Sequence, residues 1–328
     1  MSNGKFNQCF ILIFLLLIDV SNNQANSFNY SIIFFIICNE LLRQEKNCIF
    51  VLMKNLTVSI VTYHTDIAEL QCCIESLQSP VVKTIYVVDN SSRDYIAQFC
   101  AKNNIVYIPS ENVGYGAAHN KAMRLAIQAG SPYHLVINSD IYFSPSVLST
   151  LIDYMDTRPD VAQVHPRVTY PDGTLQYTVR MLPTPFDLIL RRFMPAFLSQ
   201  KRDYKYLLKF ANHDCEMNVP YHQGSFMLFR TDALSKVGLF DERFFMYPED
   251  IDITRRMHTH YRTMYYPAVS IVHNHRAESY KSVRMLRIHI VNMIRYFNKW
   301  GWFCDAERRR INRQLLSELC SDNNKKTG

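Results

Sequence analysis

From residue 55 onward, short apolar runs rich in β-branched residues alternate with stretches of helical period. Leu56–Thr62 (LTVSIVT) predicts a first strand, polar Tyr63-His64-Thr65-Asp66 follows, and a helical pattern runs over 67–77. Lys83–Asp89 predicts a second strand that ends on a carboxylate, and Ile105–Ile108 a third, followed by a helix over 116–129. His134–Asn138 predicts a fourth, running into Asn138-Ser139-Asp140. Strands alternating with helices in this way predict an α/β fold, a mostly parallel sheet with helices on both faces. In such sheets the ligand crevice lies beyond the carboxyl ends of the strands. Thr62, Asp89, Ser91, Ser92, Asn138 and Asp140 would therefore meet along one edge. A single Asp or Asn after a strand is equally explained as a turn residue or a helix cap. Three polar strand ends in succession favour a ligand edge.

Residues 1–52 break this pattern. Apolar runs at 9–18 and 32–38 are separated by Asn, Gln and Ser, and both are shorter than the ~20 residues a spanning helix needs. Three readings stay open. Met53 is the true start and opens the first strand almost at once, or the segment associates with a membrane, or it is a secretory signal with Lys5 ahead of its apolar stretch. The resulting division is a hydrophobic extension (1–52), an α/β domain (53–275) and a basic, amphipathic helical tail (276–328).

Composition removes several classes. Twenty Tyr and twenty Phe in 328 residues supply enough apolar surface to exclude disorder. Nine cysteines, an odd number with no C-x-x-C, argue against a disulfide framework or zinc ribbon and fit a reducing compartment. The phosphate-cradling motifs G-x-G-x-x-G after the first strand and G-x-x-x-x-G-K-[ST] are both missing, which disfavours dinucleotide enzymes and P-loop NTPases. The Pro- and Gly-bearing stretch 159–185 and the basic, aromatic stretch 186–215 read as an insertion or acceptor-side region outside the sheet.

Three clusters carry candidate chemistry. Asp140, after a buried strand, can reach a hard divalent cation, which typically uses one or two carboxylates plus substrate phosphates. Glu111–Asn120 (ENVGYGAAHN) is a glycine-bearing turn entering a helix, where backbone amides can approach a phosphate or sugar. Phe240–Asp252 (FDERFFMYPEDID) leads aromatic residues into clustered carboxylates. Pro248 there suits a helix start, and Glu249, Asp250 and Asp252 suit its first turn. Acidic first turns need no catalytic reason, but carboxylates this close perturb one another's titration, and one can serve as a general base. His273 and His275 close the strand-like run 268–272, and His273 is a candidate metal ligand or simply a hydrogen-bonded histidine.

Taken in order, these segments resemble a family 2 glycosyltransferase of the GT-A fold, in the rhamnosyltransferase-like branch of bacterial surface-polysaccharide synthesis. The likeness is carried by Val58–Tyr63, Val87–Ser92, Asn112–Gly116 with Asn120, Asn138–Asp140, Gly224–Arg230, Gly238–Glu242 and Phe245–Asp252. The resemblance implies an inverting transfer from a nucleotide-diphosphate sugar, dTDP-rhamnose or a UDP-sugar, to a hydroxyl of a glycan or lipid-linked acceptor. It implies Thr62 and Asp89 around the nucleoside, helped by Tyr63, Ser91, Asn112, Gly114, Asn120 and Asn138. It also implies Mg2+ or Mn2+ on Asp140 with His273, Asp250 as base and Glu249 orienting the acceptor. Asn138 stands where the family's D-x-D has its first Asp. A catalytically inactive sugar-nucleotide binder and a nucleotidyltransferase remain alternatives.

The tail adds an expectation of place. Residues 276–328 hold twelve Lys and Arg against five Asp and Glu, a surplus as large as that of the whole chain. The stretch 285–302 mixes helical apolar spacing with Arg, Lys and two Trp. That composition suits a helix on an anionic membrane face, at the cytoplasmic side of the plasma membrane, or a helix packed on the catalytic domain with a solvated basic face. Nucleic acid is disfavoured, since no reader motif accompanies the charge.

Overall fold

The computed structural model describes residues 55–189, 196–274 and 283–325. The expectations for residues 1–52 and for His275 lie outside the described residues.

The four strands expected from the pattern are present: β1 (Leu56–Thr62), β2 (Val82–Asp89), β3 (Val106–Pro109) and β4 (Tyr133–Ile137). They pair in parallel in the order β3-β2-β1-β4. β1 is buried along almost its whole length, as a central parallel strand covered on both faces must be. The connecting helices are α1 (Ile67–Ser76), α2 (Asp94–Lys102) and α3 (Tyr115–Gln128). Asp66 caps α1 by accepting from the Ala68 amide at 2.7 Å. On α3, Ala118 and Ala122 let the helix lie close against Tyr86 and Val88 of β2. The polar residues of β1, Thr57 and Ser59, are used internally. Thr57 Oγ1 meets His134 Nδ1 at 2.9 Å, His134 Nε2 meets Ser59 Oγ at 2.9 Å, and Ser59 Oγ meets His119 Nδ1 at 2.7 Å. Burial pushes the pKa of both histidines down, so they stay neutral within this chain of hydrogen bonds.

Beyond β4 the sheet departs from simple alternation. After β5 (Ile141–Tyr142) and α4 (Ser146–Asp156) come β6 (Val161–Thr169) and β7 (Val179–Arg180). Helices α5 (Pro185–Leu188) and α6 (Ala196–Tyr206) follow, then β8 (Met217–Asn218), β9 (Tyr221–His222), β10 (Phe226–Arg230), α7 (Thr231–Val237), α8 (Glu249–His260) and β11 (Arg262–His273). The order continues β4-β10-β6-β11-β5, with β10 antiparallel to both β4 and β6 and β11 parallel to β6. The stretch expected to lie outside the sheet therefore contains β6, one of its central strands. Pro166 obscures β6 in the sequence, because proline cannot donate to a ladder. It is tolerated where the register with β11 shifts, between Tyr266 and Ser270.

Two further helices, α9 (Val283–Trp300) and α10 (Ala306–Lys325), close the chain. Residues 54–328 form one compact unit, so the tail is packed on the catalytic domain. Met293, Tyr296 and Phe297 of α9 and Ile311, Leu315 and Leu319 of α10 are buried; all but Met293 join Phe244, Ile251 and Tyr265 in a second apolar core. Arg284, Arg287, Val291 and Ile294 remain exposed on α9. Arg255 of α8 forms a buried two-point ion pair with Asp305 at 2.7 and 2.9 Å and lies 4.0 Å over the Trp300 ring. Among the described residues no helix is long and apolar enough to cross a membrane.

Candidate active site

The carboxyl ends of β1 and β2 meet as the pattern required. Thr62 Oγ1 donates to Asp89 Oδ1 at 3.1 Å, and both side chains are buried. Asp89 also accepts from the Ser91 amide (3.0 Å) and hydroxyl (2.6 Å), the Arg93 amide (2.7 Å) and the Tyr107 hydroxyl (3.2 Å). Burial opposes its charge, yet the donors from Ser91, Arg93 and Thr62 outweigh that and hold the carboxyl below its ordinary range. Asp89 thus shapes the 89–93 turn as well as standing at the edge. Tyr63 is 54% exposed beside it, and Asn112 is exposed in the following turn. Gly114 has φ +95°, and a Cβ there would lie 2.3 Å from the Phe245 carbonyl oxygen, so only glycine lets this turn touch the 240–248 segment. Asn120 belongs to the helix that follows this turn. It is buried on α3, where its amide donates to Phe240 O and Glu242 Oε1, both at 2.9 Å, and accepts from the Phe240 amide at 3.0 Å.

At the end of β4 the loop turns to a different chemistry. The Tyr115 hydroxyl donates to the Gly224 carbonyl at 2.7 Å and lies 3.0 Å from Asn138 Oδ1. Asp140 Oδ1 is buried, accepts no hydrogen bond, and faces His273 Nε2 at 3.3 Å. His273 Nδ1 meets Gln176 Oε1 at 3.0 Å. Two ligands at about 2.1 Å in neighbouring positions around a Mg2+-like ion lie roughly 3 Å apart, so this pair fits one divalent cation. No cluster of three or more His, Cys, Asp or Glu suited to a metal occurs among the described residues.

The acidic cluster opens α8, with Pro248 at the N-cap and Glu249, Asp250 and Asp252 in the first turn. Asp252 is unavailable for chemistry. It is buried and bound to Arg256 (2.9 Å), Lys299 (2.6 Å) and the Trp300 indole N–H (2.8 Å). Asp250 Oδ2 accepts from the Gly224 amide at 2.9 Å and Oδ1 from the Ile251 amide at 2.8 Å. Burial pushes Asp250 up to about 7, held there against a larger rise by those two amides and by the charge of Arg180. Glu249 is pushed well above its usual value, by burial first and by the Asp250 charge second, and its Oε2 has no hydrogen-bond partner. Both carboxyls are thus pushed upward by burial, and the protons they take up belong to the pair rather than to either residue. The Tyr115 phenol is pushed well above its ordinary pKa by burial, then by Glu249, Asp250 and Asp140, so it stays a neutral hydroxyl between the carboxylates.

The structure thus brings together Thr62, Asp89 and Ser91, then Asn138, Asp140 and His273, then Glu249 and Asp250. Four of the buried polar atoms without hydrogen-bond partners belong to these segments, Asn90 Oδ1, Asp140 Oδ1, Ser225 Oγ and Glu249 Oε2, while others, such as Asp156 Oδ2 and Gln163 Oε1, lie elsewhere in the fold. Such atoms are costly unless a ligand meets them. Tyr115, Gln176 and Arg180 escape a reading of the sequence. The last two sit in the stretch taken for an insertion, and only the return of β11 brings His273 to Gln176.

The profile of the family described as glycosyl transferase family 2 matches residues 57–238, more than half of the chain. The chain belongs to glycosyl transferase family 2. It is 27% identical over 208 residues to the N-acetylglucosaminyl-diphospho-decaprenol L-rhamnosyltransferase of Mycobacterium tuberculosis (strain H37Rv), covering 60% of this chain and 67% of the relative. It is also 27% identical over 231 residues to the rhamnosyltransferase WbbL of Escherichia coli (strain K12), covering 65% and 81%. Among solved structures, that of GalNAc-T7 with UDP, GalNAc and Mn2+ superposes with a TM-score of 0.52 at 12% identity, over 68% of this chain. This chain spans 44% of that structure's length. The sheet and its flanking helices are the GT-A arrangement that the sequence resemblance implied.

Proposed function

We propose that this glycosyltransferase moves a sugar, with inversion, from a nucleotide-diphosphate donor to a hydroxyl of a glycan or lipid-linked acceptor during surface-polysaccharide synthesis. The sugar we propose is rhamnose, carried by dTDP, because both relatives named above bear rhamnosyltransferase names. The observation that carries the reading is the buried Glu249–Asp250 pair at the start of α8, with Asp250 held by the Gly224 amide and both carboxyls pushed upward by burial. A free hydroxyl is a poor nucleophile, and a carboxylate with a pKa near neutrality is well matched to take its proton.

In this reading the nucleoside lies along Thr62, Tyr63, Asp89, Ser91 and Asn112, with Gly114 allowing close backbone approach. Asp140 and His273 would hold a divalent cation, which supplies Lewis-acid neutralisation of the charge gathering on the departing diphosphate. Asp250 takes the proton of the acceptor hydroxyl as that oxygen attacks the anomeric carbon from the face opposite the diphosphate. Glu249, beside it, orients the acceptor. Asn138 and Tyr115 fix the loop between the two halves, and Asn120 serves by anchoring the 240–242 segment. A lipid-linked acceptor also gives the exposed basic residues of α9 a use at the cytoplasmic face of the membrane.

The test is a thermal-unfolding panel of the full chain with dTDP, UDP, GDP and CDP, each with and without Mn2+, repeated on Asp140→Ala. One nucleotide should stabilise the wild type only with Mn2+, by about 2.7 kcal/mol when held at 100 times its Kd. Asp140→Ala should lose at least about tenfold in metal-dependent affinity. An unchanged Mn2+ response in that variant removes Asp140 from the reading.

Arg180 provides a second check. Its charge favours ionised Asp250, so Arg180→Met should move the acid limb of kcat/KM to higher pH, by about one unit. A pH–rate profile unchanged from the wild type would show that Arg180 does not tune the base.

A further inference from the structure

We propose that Gln176 is a positioning residue that presents the Nε2 lone pair of His273 toward Asp140. The proposal rests on the metal reading of that pair and adds the element that makes His273 competent for it.

The orientation of the Gln176 amide is decided by its surroundings. Its Nε2 donates to the His273 carbonyl at 2.8 Å and lies 3.4 Å from the Thr169 carbonyl, both of which can only accept. Turning the amide over would set its oxygen against two carbonyl oxygens. Oε1 therefore faces His273 Nδ1 as an acceptor at 3.0 Å, and Nδ1 must carry the proton. In the neutral ring the second nitrogen, Nε2, is then the lone-pair atom, and it points at Asp140 Oδ1 at 3.3 Å. One side chain thus clamps both the ring and the backbone of the same histidine.

Gln176 is itself rigidly delivered. β6 ends in a tight turn, where the Tyr170 amide donates to Thr174 O at 2.8 Å and Asp172 accepts from the Thr174 amide at 2.9 Å. The Gln176 amide then returns to Val168 O at 2.9 Å, and the side chain is buried. Metal-bound histidines almost always donate their other N–H to an acceptor that fixes ring and tautomer. Here that acceptor is a neutral amide. It orients the ring without adding negative charge, which suits a cation that binds weakly alone and firmly with a diphosphate.

The experiment uses the full chain labelled with 15N-histidine and no metal. His273, assigned by its loss in His273→Gln, should give the Nδ1–H tautomer in a long-range 1H–15N spectrum. Mn2+ affinity, read as free Mn2+ by electron paramagnetic resonance, should fall about 10–100-fold in Gln176→Leu. An Nε2–H tautomer in the wild type overturns the proposal whether or not Gln176→Leu folds. Wild-type Mn2+ affinity in Gln176→Leu, alongside its loss in His273→Gln, overturns the proposal and leaves the metal reading standing. Undiminished Mn2+ binding by His273→Gln removes the metal reading, and the proposal with it.

Discussion

Asp250→Asn is expected to lower kcat by about 10²–10⁴-fold, the range general-base catalysis supplies, while donor affinity stays within a few-fold. The substitution keeps the size of the side chain and removes the carboxylate that the proposed mechanism uses as its base. Asp252 cannot take over, because Arg256, Lys299 and Trp300 already occupy both its oxygens. Steady-state kinetics with a separate nucleotide-binding measurement checks this; wild-type turnover in the variant would move the base to Glu249. Stability gives an independent reading. In the unfolded chain Asp250 ionises near its ordinary value of 3.8, and in the fold near 7. Between those values the unfolded state releases a proton that the folded state keeps, so the wild type loses stability as pH rises. Asn does not titrate. The melting temperature of the variant relative to the wild type should therefore climb from pH 4 to pH 7 and level off above it.

Arg255→Met is expected to be the most destabilising of these substitutions. It removes one member of a buried ion pair and leaves Asp305, 3% exposed, facing an apolar group. Breaking such a pair from one side costs about 3–5 kcal/mol. For a domain of this size that is a fall in Tm on the order of 10 °C. Removing both charges, as in Arg255→Met with Asp305→Leu, should recover much of the loss, because replacing a buried pair with apolar groups is often nearly neutral. Burial opposes the charge on Asp305, but Arg255 holds its carboxyl below the usual range, so the pair's contribution is present above about pH 4 and fades as pH falls further. Thermal unfolding of the three proteins at pH 7.5 and pH 3.5 should show a gap that narrows in acid. Equal gaps would assign the loss to packing on Trp300 instead.

The first half of the fold could be read from the chain because its information is local. β1 to β4 are apolar runs bounded by polar turns, and Asp89 and Asp140 sit where strand ends must meet. The second half is set by pairings between distant segments. β10 is a five-residue run with no alternation, and it enters between β4 and β6 only because both leave an edge for it. Pro166 hides β6. Site residues followed the same division: Thr62, Asp89, Asn138, Asp140, Glu249 and Asp250 could be picked out from strand ends and a helix start. Gln176 and Arg180 could not, since neither carries a local signal and each matters through a partner more than sixty residues away. Asn120 shows the converse. It belongs to a recognisable motif, yet its amide is spent tying α3 to Phe240 and Glu242.

The late insertion of β10 has a consequence for how the protein is made. β4 ends at Ile137 and its antiparallel neighbour begins at Phe226. At about 5–20 residues per second, a ribosome needs roughly 5–20 s to supply that partner. For that interval the apolar β4 segment lacks its neighbour on that edge and is open to any other strand. Slowed elongation between these points should raise aggregation of this enzyme more than slowing before Tyr133 or after Arg230.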